Sequence, residues 1–309
     1  MSREHTDWDG SADDAETEAR EAQSRARARE RETRRNRPTA TEHSLTREER
    51  DAVSDHGKLN ALTVYSIILR EGEEELSRPK RSLWWSGVTA GLGISTSVLM
   101  TGLFRAELGP DHPYLTLISS VGYTFGFVLV ILCRLQLFTE NTITVVLPFL
   151  ARPSLAGFAE IARLWGIVFV ANLVGTFVTA ALAVHAGIIS PEILAAILDI
   201  SHHLAEFTPM EALLRGIPSG FFIAALVWML PSAKGSELAI IVMFTWLIAA
   251  GGFTHVVAGS NEIFTLVLNG ELGILDALLS HILPVLVGNI LGGTGLFAML
   301  AYGQIHDEM

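Results

Sequence analysis

The chain has 309 residues, of which 50% are hydrophobic and 18% charged, with a formal net charge of −11 at pH 7. Its single cysteine excludes a disulfide scaffold and a cysteine-based metal cluster, and the acidic balance argues against nucleic-acid binding. Residues 82–309 carry only 6 Lys and Arg and 14 Asp and Glu in 228 positions. Because a soluble domain has roughly 25% charged residues, this part is predicted to be an integral membrane protein.

The N-terminal part of the chain is of a different kind. Residues 1–57 are rich in Arg, Glu, Asp and Ala and have almost no large aliphatic side chain. Such a segment cannot bury a core, so a disordered, charged tail is predicted. In residues 58–81, leucines such as Leu62, Leu69 and Leu76 recur at helical spacing beside charged residues. This pattern predicts an amphipathic helix at the membrane interface.

Residues 82–309 are predicted to form an all-α domain of six transmembrane helices. Stretches free of Asp, Glu, Lys and Arg run over 82–104, 112–133, 164–191, 216–233, 238–261 and 277–306. Each is close to the roughly 20 residues that a helix needs to cross the hydrocarbon core. The second segment resumes after Arg134 and Glu140, and the fifth resumes after Glu262. These two spans are therefore predicted to be broken, over residues 134–141 and 251–262.

Basic residues predict how the spans are oriented. If both termini are cytoplasmic, the loops on the opposite side carry only one basic residue, Arg105. The cytoplasmic junctions then carry Arg78, Lys80, Arg81, Arg152, Arg163 and Lys234. Because Lys and Arg accumulate in cytoplasmic loops, both termini are predicted to lie in the cytoplasm.

An internal repeat relates the two halves of the predicted domain. The third and sixth spans both contain an Asn-apolar-apolar-Gly pattern, which runs from Asn172 to Gly175 and from Asn289 to Gly292. These four residues are predicted to pack helices, because small residues allow close contact and a membrane asparagine seeks an interhelical hydrogen bond. With three spans per half, the second half must cross the membrane in the opposite sense, which is an inverted repeat. Broken spans at matching positions of such repeats indicate the substrate path.

Four short motifs in this order resemble the formate/nitrite transporter family. Leu137-Phe138-Thr139 resembles its Ω-loop motif, and Phe253-Thr254-His255 its fifth-span loop motif. The segments 172–175 and 288–293 resemble its third-span and sixth-span motifs. The resemblance covers residues from about 60 to 305. The strings 136–141 and 261–263 are most similar to a subgroup described only as formate/nitrite-transporter-related inner membrane proteins.

The resemblance implies an aquaporin-like protomer with its own pore, assembled into a homopentamer in the inner membrane of a prokaryote. It implies passage of a small monovalent anion or its conjugate acid, in the class of formate, nitrite, hydrosulfide or a short monocarboxylate. The bilayer and this solute are the expected partners, with no cofactor, metal, nucleic acid or enzymatic reaction. The residues expected along the pore are Leu137, Phe138, Thr139, His255, Gly259, Ser260 and Asn261.

Individual residues in these segments carry specific expectations. His255 lies in a long uncharged stretch, where an ionisable group is costly and usually functional, and it is predicted to relay charge or protons. Leu137 and Phe138 are predicted to form an apolar gate, with lipid or core contact as the alternative. Thr139 is predicted to cap the following half-helix, with its hydroxyl also free to face the pore.

Three charged residues beside the breaks form a hypothetical charge network. Glu140 and Glu262 are expected just inside the half-helices, where a helix N-terminus stabilises negative charge. Arg134 is hypothesised to neutralise one of these two carboxylates. An uncompensated glutamate in the pore would instead repel an anion.

Two other functions stay open. The family commonly has asparagine where this chain has Gly220 and Gly259, and acidic residues flank the loops, so a channel for a small neutral solute is the first alternative. The second is a non-conducting membrane scaffold whose tail recruits a partner.

Overall fold

The fold is built from helices, and the structure, a computed structural model, describes residues 59–306. The predicted tail of residues 1–57 lies outside the described residues. No β-strand occurs between residues 59 and 306. In chain order the helices are α1 (Ala61–Ser77), α2 (Lys80–Leu108), α3 (Leu115–Leu132), α4 (Asn141–Thr144), α5 (Val146–Ala151), α6 (Leu155–His185), α7 (Pro191–Ala205), α8 (Pro209–Met229), α9 (Glu237–Ala250), α10 (Val256–Leu268) and α11 (Ile274–Ile305).

Five helices are long and apolar enough to cross a membrane, namely α2, α3, α6, α8 with the turn that follows it, and α11. They coincide with five of the six uncharged segments of the sequence. The predicted fifth span is instead occupied by α9 and α10, which are apolar but have only 14 and 13 residues. The prediction of an all-helical membrane protein is thus confirmed.

Helix α1 covers most of the segment predicted to be amphipathic. The side chain of Asn60 caps its first turn by accepting a hydrogen bond from the amide of Thr63 at 2.8 Å. Its apolar face packs on the rest of the protein, with Tyr65 buried beside Tyr302 and Gly72 against the backbone of α4. Its position at a membrane interface stays a prediction.

The two breaks in the backbone have the same local geometry. After α3, Arg134 adopts a left-handed conformation with φ of 53°, and after α9 Gly252 does so with φ of 64°. The next amide then bonds back into the helix, from Leu135 to the carbonyl of Val130 at 3.0 Å, and Phe253 makes the equivalent bond. This hydrogen-bond pattern is a common way to end a helix, and it normally uses glycine at the left-handed position.

Glycines bring α2 and α6 into close contact. A methyl group on Gly91 would lie 2.2 Å from the carbonyl oxygen of Asn172, and one on Gly175 would lie 2.4 Å from that of Val88. Both distances are far below van der Waals contact. The crossing of these helices therefore requires the absence of a side chain at both positions.

Helices α8 and α11 cross in the same manner. A methyl group on Gly220 would lie 2.1 Å from the carbonyl oxygen of Asn289, and Gly292 is equally close to the carbonyl of Ile217. Gly220 is therefore a packing residue, and the helix crossing leaves no room for the asparagine that the family commonly has at this position. Of the two glycines that departed from the family pattern, only Gly259 lies beside His255 in a cavity.

Candidate functional site

A buried asparagine holds the first break in place. The Oδ1 atom of Asn172 accepts a hydrogen bond from the amide of Phe138 at 2.9 Å. Its Nδ2 donates to the carbonyl oxygens of Gln136 and of Gly87 on α2, both at 2.8 Å. Backbone groups freed by a broken helix must be satisfied by protein at membrane depth, and this one side chain satisfies two of them while its third bond ties it to α2.

Asn289 does the same at the second break. Its Oδ1 accepts from the amide of Val256 at 2.9 Å, and its Nδ2 donates to the carbonyls of Thr254 at 3.0 Å and of Gly216 on α8 at 2.9 Å. In both breaks the asparagine bridges an amide, the carbonyl two residues before it, and a glycine carbonyl on a neighbouring helix. The packing role predicted for the two asparagines thus extends to fixing the loops between the half-helices.

His255 lies where the two broken segments meet. Its Nε2 is 2.7 Å from Oγ1 of Thr139, and its Nδ1 accepts a hydrogen bond from the amide of Ala258 at 3.2 Å. An Nδ1 that accepts carries no proton, so the neutral ring has its proton on Nε2 and donates it to Thr139. His255 itself therefore caps α10. The hydroxyl of Thr139 contacts His255 and caps no helix, contrary to the capping role predicted for it.

One cavity of about 290 Å³, here the Glu140 cavity, lies beside the first break. It is enclosed by α1, the loop after α3, and the C-terminal end of α8. The polar side chains on its wall are Glu71, Glu75, Arg134, Gln136, Glu140, Asn141 and Thr144. Leu137 lines it as well, and its role in an apolar gate stays a prediction.

A second cavity of about 210 Å³, here the Glu262 cavity, lies beside the second break. It contains His255, Gly259 and Glu262 on one wall. Other residues around it include Arg105, Ser119, Ser120, Tyr123, His203, Phe207 and Phe253. The two cavities lie toward opposite ends of α3, because the Glu262 cavity takes residues 116–123 of that helix and the Glu140 cavity takes Ile131.

Buried and mainly apolar side chains, here called the partition, lie between the linings of the two cavities: Phe127, Leu137, Thr139 and His255. Phe127, in the middle of α3, is fully buried and meets the His255 ring edge-on at a centroid distance of 4.9 Å. Leu137 and Thr139 are also fully buried. The contact of Thr139 with His255 is thus a polar link inside an otherwise apolar partition.

Three of the predicted pore residues have their side chains in helix contacts instead. Phe138 packs edge-on against the α6 rings of Trp165 and Phe169, at 5.6 and 5.1 Å. The side chains of Ser260 and Asn261 both bond to Thr176 of α6, each at 2.9 Å. Ser260 also borders a smaller cavity of about 20 Å³ that it shares with His255.

Arg134 has a different partner from the one hypothesised. Its Nη2 lies 3.3 Å from Oε1 of Glu71 on α1, so it pairs with neither Glu140 nor Glu262. The reason is that the left-handed turn directs Arg134 toward α1, which the sequence did not place there. Glu262 also lies seven residues beyond the cap of α10, past the first turn in which a helix dipole stabilises negative charge.

Sequence reasoning missed Phe127 and Glu71. Phe127 stands in an uncharged span beside another phenylalanine, Phe125, which is exposed, so no signal distinguished it. Glu71 stood among four acidic residues of an amphipathic helix, and only its position on α1 brings it to the cavity wall.

Beyond the spans, the loop after α10 is tied to α7. Glu271 contacts the His202 ring and the amide of Asn269, and these hydrogen bonds hold the pKa of Glu271 below its usual value. Among residues 59–306 no three His, Cys, Asp or Glu side chains are arranged to hold a metal ion.

Known proteins are similar to this chain in sequence. A family model described as formate/nitrite transporter matches residues 62–303. The inner membrane protein YfdC of Escherichia coli (strain K12) is 41% identical over 249 residues, which are 81% of this chain and 80% of YfdC. The formate channel FocA of the same organism is 26% identical over 256 residues, covering 72% of this chain and 86% of FocA.

Two solved structures share the fold. One, described as a pentameric formate channel with formate bound, has a TM-score of 0.64 at 21% identity and covers 74% of this chain and 97% of its own. The other, described as an FNT family ion channel, has a TM-score of 0.67 at 16% identity and covers 81% and 99%. At these identities the likeness concerns the fold alone.

Proposed function

Because the chain belongs to the formate/nitrite transporter family, we propose that it carries a small monovalent anion, or its conjugate acid, through a pore formed by each protomer. The family comprises channels and transporters and not enzymes. The substrate class is that of formate, nitrite, hydrosulfide or a short monocarboxylate. One relative in the family is a formate channel, which supports this class.

The proposed architecture has six membrane crossings in two inverted repeats. In this arrangement α9 and α10 together form the fifth crossing, and α3 with α4 and α5 forms the second. The matching asparagine bridges support the repeat, as do Gly87 and Gly91 on α2, which recur at the same spacing as Gly216 and Gly220 on α8. A pentamer is proposed because one fold neighbour is described as pentameric.

The proposed pore runs from the Glu262 cavity past His255 and Thr139 into the Glu140 cavity. The positive-inside pattern predicts that both termini are cytoplasmic, and α1, which follows the N-terminal segment, lines the Glu140 cavity. This cavity is therefore proposed to be the cytoplasmic vestibule, and the Glu262 cavity the outer one. The proposed membrane is the bacterial inner membrane, where the relative YfdC is found.

The observation that carries the proposal is the His255–Thr139 contact between two cavities. Phe127 and Leu137 exclude hydrated ions from this point, and the hydrogen bond leaves one polar pair for a small solute to meet. Because Nδ1 of His255 caps α10 and the ring is neutral, His255 acts in this proposal as a hydrogen-bond and proton relay rather than as a fixed positive charge.

Flux into proteoliposomes tests this function. We expect wild-type protein to carry at least one of formate, nitrite or hydrosulfide, and His255→Asn to lower that flux about tenfold, equivalent to about 1.4 kcal/mol of added barrier. His185→Asn, a change at the exposed end of α6, is the matched control and should leave flux unchanged. Equal flux in wild type and His255→Asn between pH 5 and 8 would refute the role of His255.

A channel for small neutral solutes is the second candidate. It is favoured by Glu140 and Glu262, which lie on the cavity walls, where negative charge would repel an anion. Stopped-flow measurement of water and glycerol permeation separates the two. Neutral-solute flux without anion flux would support the second candidate.

A further inference from the structure

The two cavities each hold one glutamate that has no ionic partner in the described chain. Neither Glu140 nor Glu262 forms a salt bridge within residues 59–306, and Oε1 of Glu140 is buried there without a hydrogen-bond partner. The other two carboxylates of the Glu140 cavity each have a charged partner. Glu71 pairs with Arg134, and Glu75 pairs with Arg78 and accepts from Gln136.

Glu262 is aligned with the central histidine along one face of α10. His255 caps this helix, and Gly259 and Glu262 follow at four and seven residues, so all three lie on the same face. Seven residues of helix span about 10 Å, a distance that one or two water molecules and a small solute bridge. Gly259, between them, adds no side chain to the wall, and all three border the same cavity.

Glu140 lies on the wall of the other cavity. It directly follows Thr139, whose hydroxyl contacts His255, and it shares its cavity with Leu137. A solute that passes Thr139 and Leu137 therefore enters a space where Glu140 is the carboxyl without a partner. The sequence of groups along the path is Glu262, His255, Thr139 and Glu140.

We propose that Glu262 and Glu140 are the proton-exchange groups of this pore, one for each vestibule. This inference rests on the proposed function, which it deepens. The protonated carboxyl of Glu262 transfers its proton to the oxygen or sulfur atom of the anion, leaving a carboxylate and a neutral acid. The acid passes the partition and returns the proton to the carboxylate of Glu140, so one proton and one anion cross together. Bulk water then reprotonates Glu262 and takes the proton from Glu140.

The apolar partition gives this exchange its physical reason. An anion that enters a space walled by Phe127 and Leu137 loses its hydration, and the neutral His255 ring supplies no compensating charge. A neutral acid avoids that penalty. A carboxyl that is bound in an ion pair cannot exchange protons freely, whereas Glu140 and Glu262 have no such partner in the described residues.

Other charged or titratable groups face the two glutamates. Around Glu262 they are Arg105 on α2, Tyr123 on α3, His203 on α7, His255 and, in the adjoining smaller cavity, His281 on α11. Around Glu140 they are Glu71, Glu75 and Arg134. The experiment therefore compares single changes at the two glutamates with neutral changes elsewhere.

Paired measurement of anion and proton uptake into proteoliposomes tests the inference. Wild-type protein should take up one proton per anion, as read by an entrapped pH dye, with uptake rising as the external pH falls. We expect Glu262→Gln and Glu140→Gln each to lower uptake about tenfold and to flatten this pH profile. The loss is smaller than the roughly hundredfold or larger effect of removing an enzyme's acid–base residue, because vestibule water supplies part of the protons.

The controls separate loss of the carboxyl from loss of charge or assembly. Glu271→Gln in the loop after α10 and Glu160→Gln on the exposed face of α6 should keep wild-type rates and profiles. Glu262→Asp, which retains a carboxyl, should keep the pH dependence at a reduced rate.

Several outcomes would overturn the inference. Wild-type rates and pH profiles in both Gln variants would do so while leaving the proposed function intact, and faster anion flux in them would show that the glutamates are only a charge barrier. Anion uptake without protons in wild-type protein contradicts the inference even if a Gln variant fails to assemble. A wild-type protein that carries none of the tested anions refutes the proposed function and this inference together.

Discussion

At the scale of single residues, His255 shows how a backbone hydrogen bond fixes the protonation state of a side chain. The amide of Ala258 donates to Nδ1 of His255, so the ring must break its helix cap before it takes up a second proton. Its other nitrogen is committed to Thr139. The histidine is thus held as a neutral donor, which suits a pore whose solute crosses as a neutral acid.

Arg134 has an unusual backbone for its residue type. Its φ of 53° lies in the left-handed region, which costs a residue with a Cβ roughly 1 kcal/mol or more. Its side chain is 80% exposed, and its ion pair with Glu71 is therefore worth about 0–1 kcal/mol. The equivalent position at the second break is Gly252, which has no such strain.

We therefore expect Arg134→Gly to fold normally and to match or exceed the wild-type unfolding temperature in detergent. Arg134→Ala removes the same ion pair but keeps a Cβ in the left-handed region. It should be less stable than Arg134→Gly by about 1 kcal/mol. Equal stability of the two variants would contradict the strain argument.

At the scale of elements, the breaks are tolerated because neighbouring helices replace the missing hydrogen bonds. Asn172 and Asn289 each satisfy two backbone groups of a break, and leaving such a buried group unpaired costs about 1–3 kcal/mol. These asparagines reach the loops only because their helices approach α2 and α8 closely, and that approach depends on glycine.

Methyl groups at the crossing glycines should therefore disrupt assembly. We expect Gly91→Ala and Gly220→Ala to give little folded protein, because the added Cβ would lie 2.2 and 2.1 Å from carbonyl oxygens. Gly166→Ala on α6 meets no atom within 4 Å and should keep or raise stability, by up to about 1 kcal/mol of helix propensity. Size-exclusion chromatography and thermal unfolding in detergent measure all three. Normal yield of the first two would show that the helices separate easily.

At the scale of the whole molecule, the outer surface of one chain is strongly apolar. Leu155, Phe158 and Leu300 are among the large side chains that remain exposed, and lipid or neighbouring subunits must cover them. Because the proposed pore of each protomer lies within its own helices, oligomer formation and conduction are separate properties in this proposal. The proposed pentamer stabilises the protomer without completing its pore.

Native mass spectrometry in detergent tests the proposed assembly. We expect a particle of five chains, each of 33.6 kDa, that dissociates only with strong activation. A stable monomer or dimer that still conducts would contradict the pentamer and leave the pore proposal standing. A monomer that does not conduct would show that the subunits depend on one another.

The sequence by itself determined the membrane class, five of the long helices, the positions of both breaks and the candidate residue His255. These features depend on local composition and spacing, because a span must be apolar and about 20 residues long, and a break requires residues that end helices. The motif 137–139 was also recognisable. Its side chains nevertheless point three ways, with Leu137 into a cavity, Thr139 to His255 and Phe138 against α6.

Only the tertiary structure decided which charged residues form ion pairs and which glycines lie at a helix crossing rather than beside a cavity. The pairing of Arg134 with Glu71 joins residues 63 positions apart, and Gly220 is a packing residue because α11 crosses it there. Separate segments form the partition, since Phe127 and His255 belong to different helices. The periodicity of apolar residues describes each helix alone. These contacts depend instead on how the helices cross, and close packing at a few glycines determines those crossings.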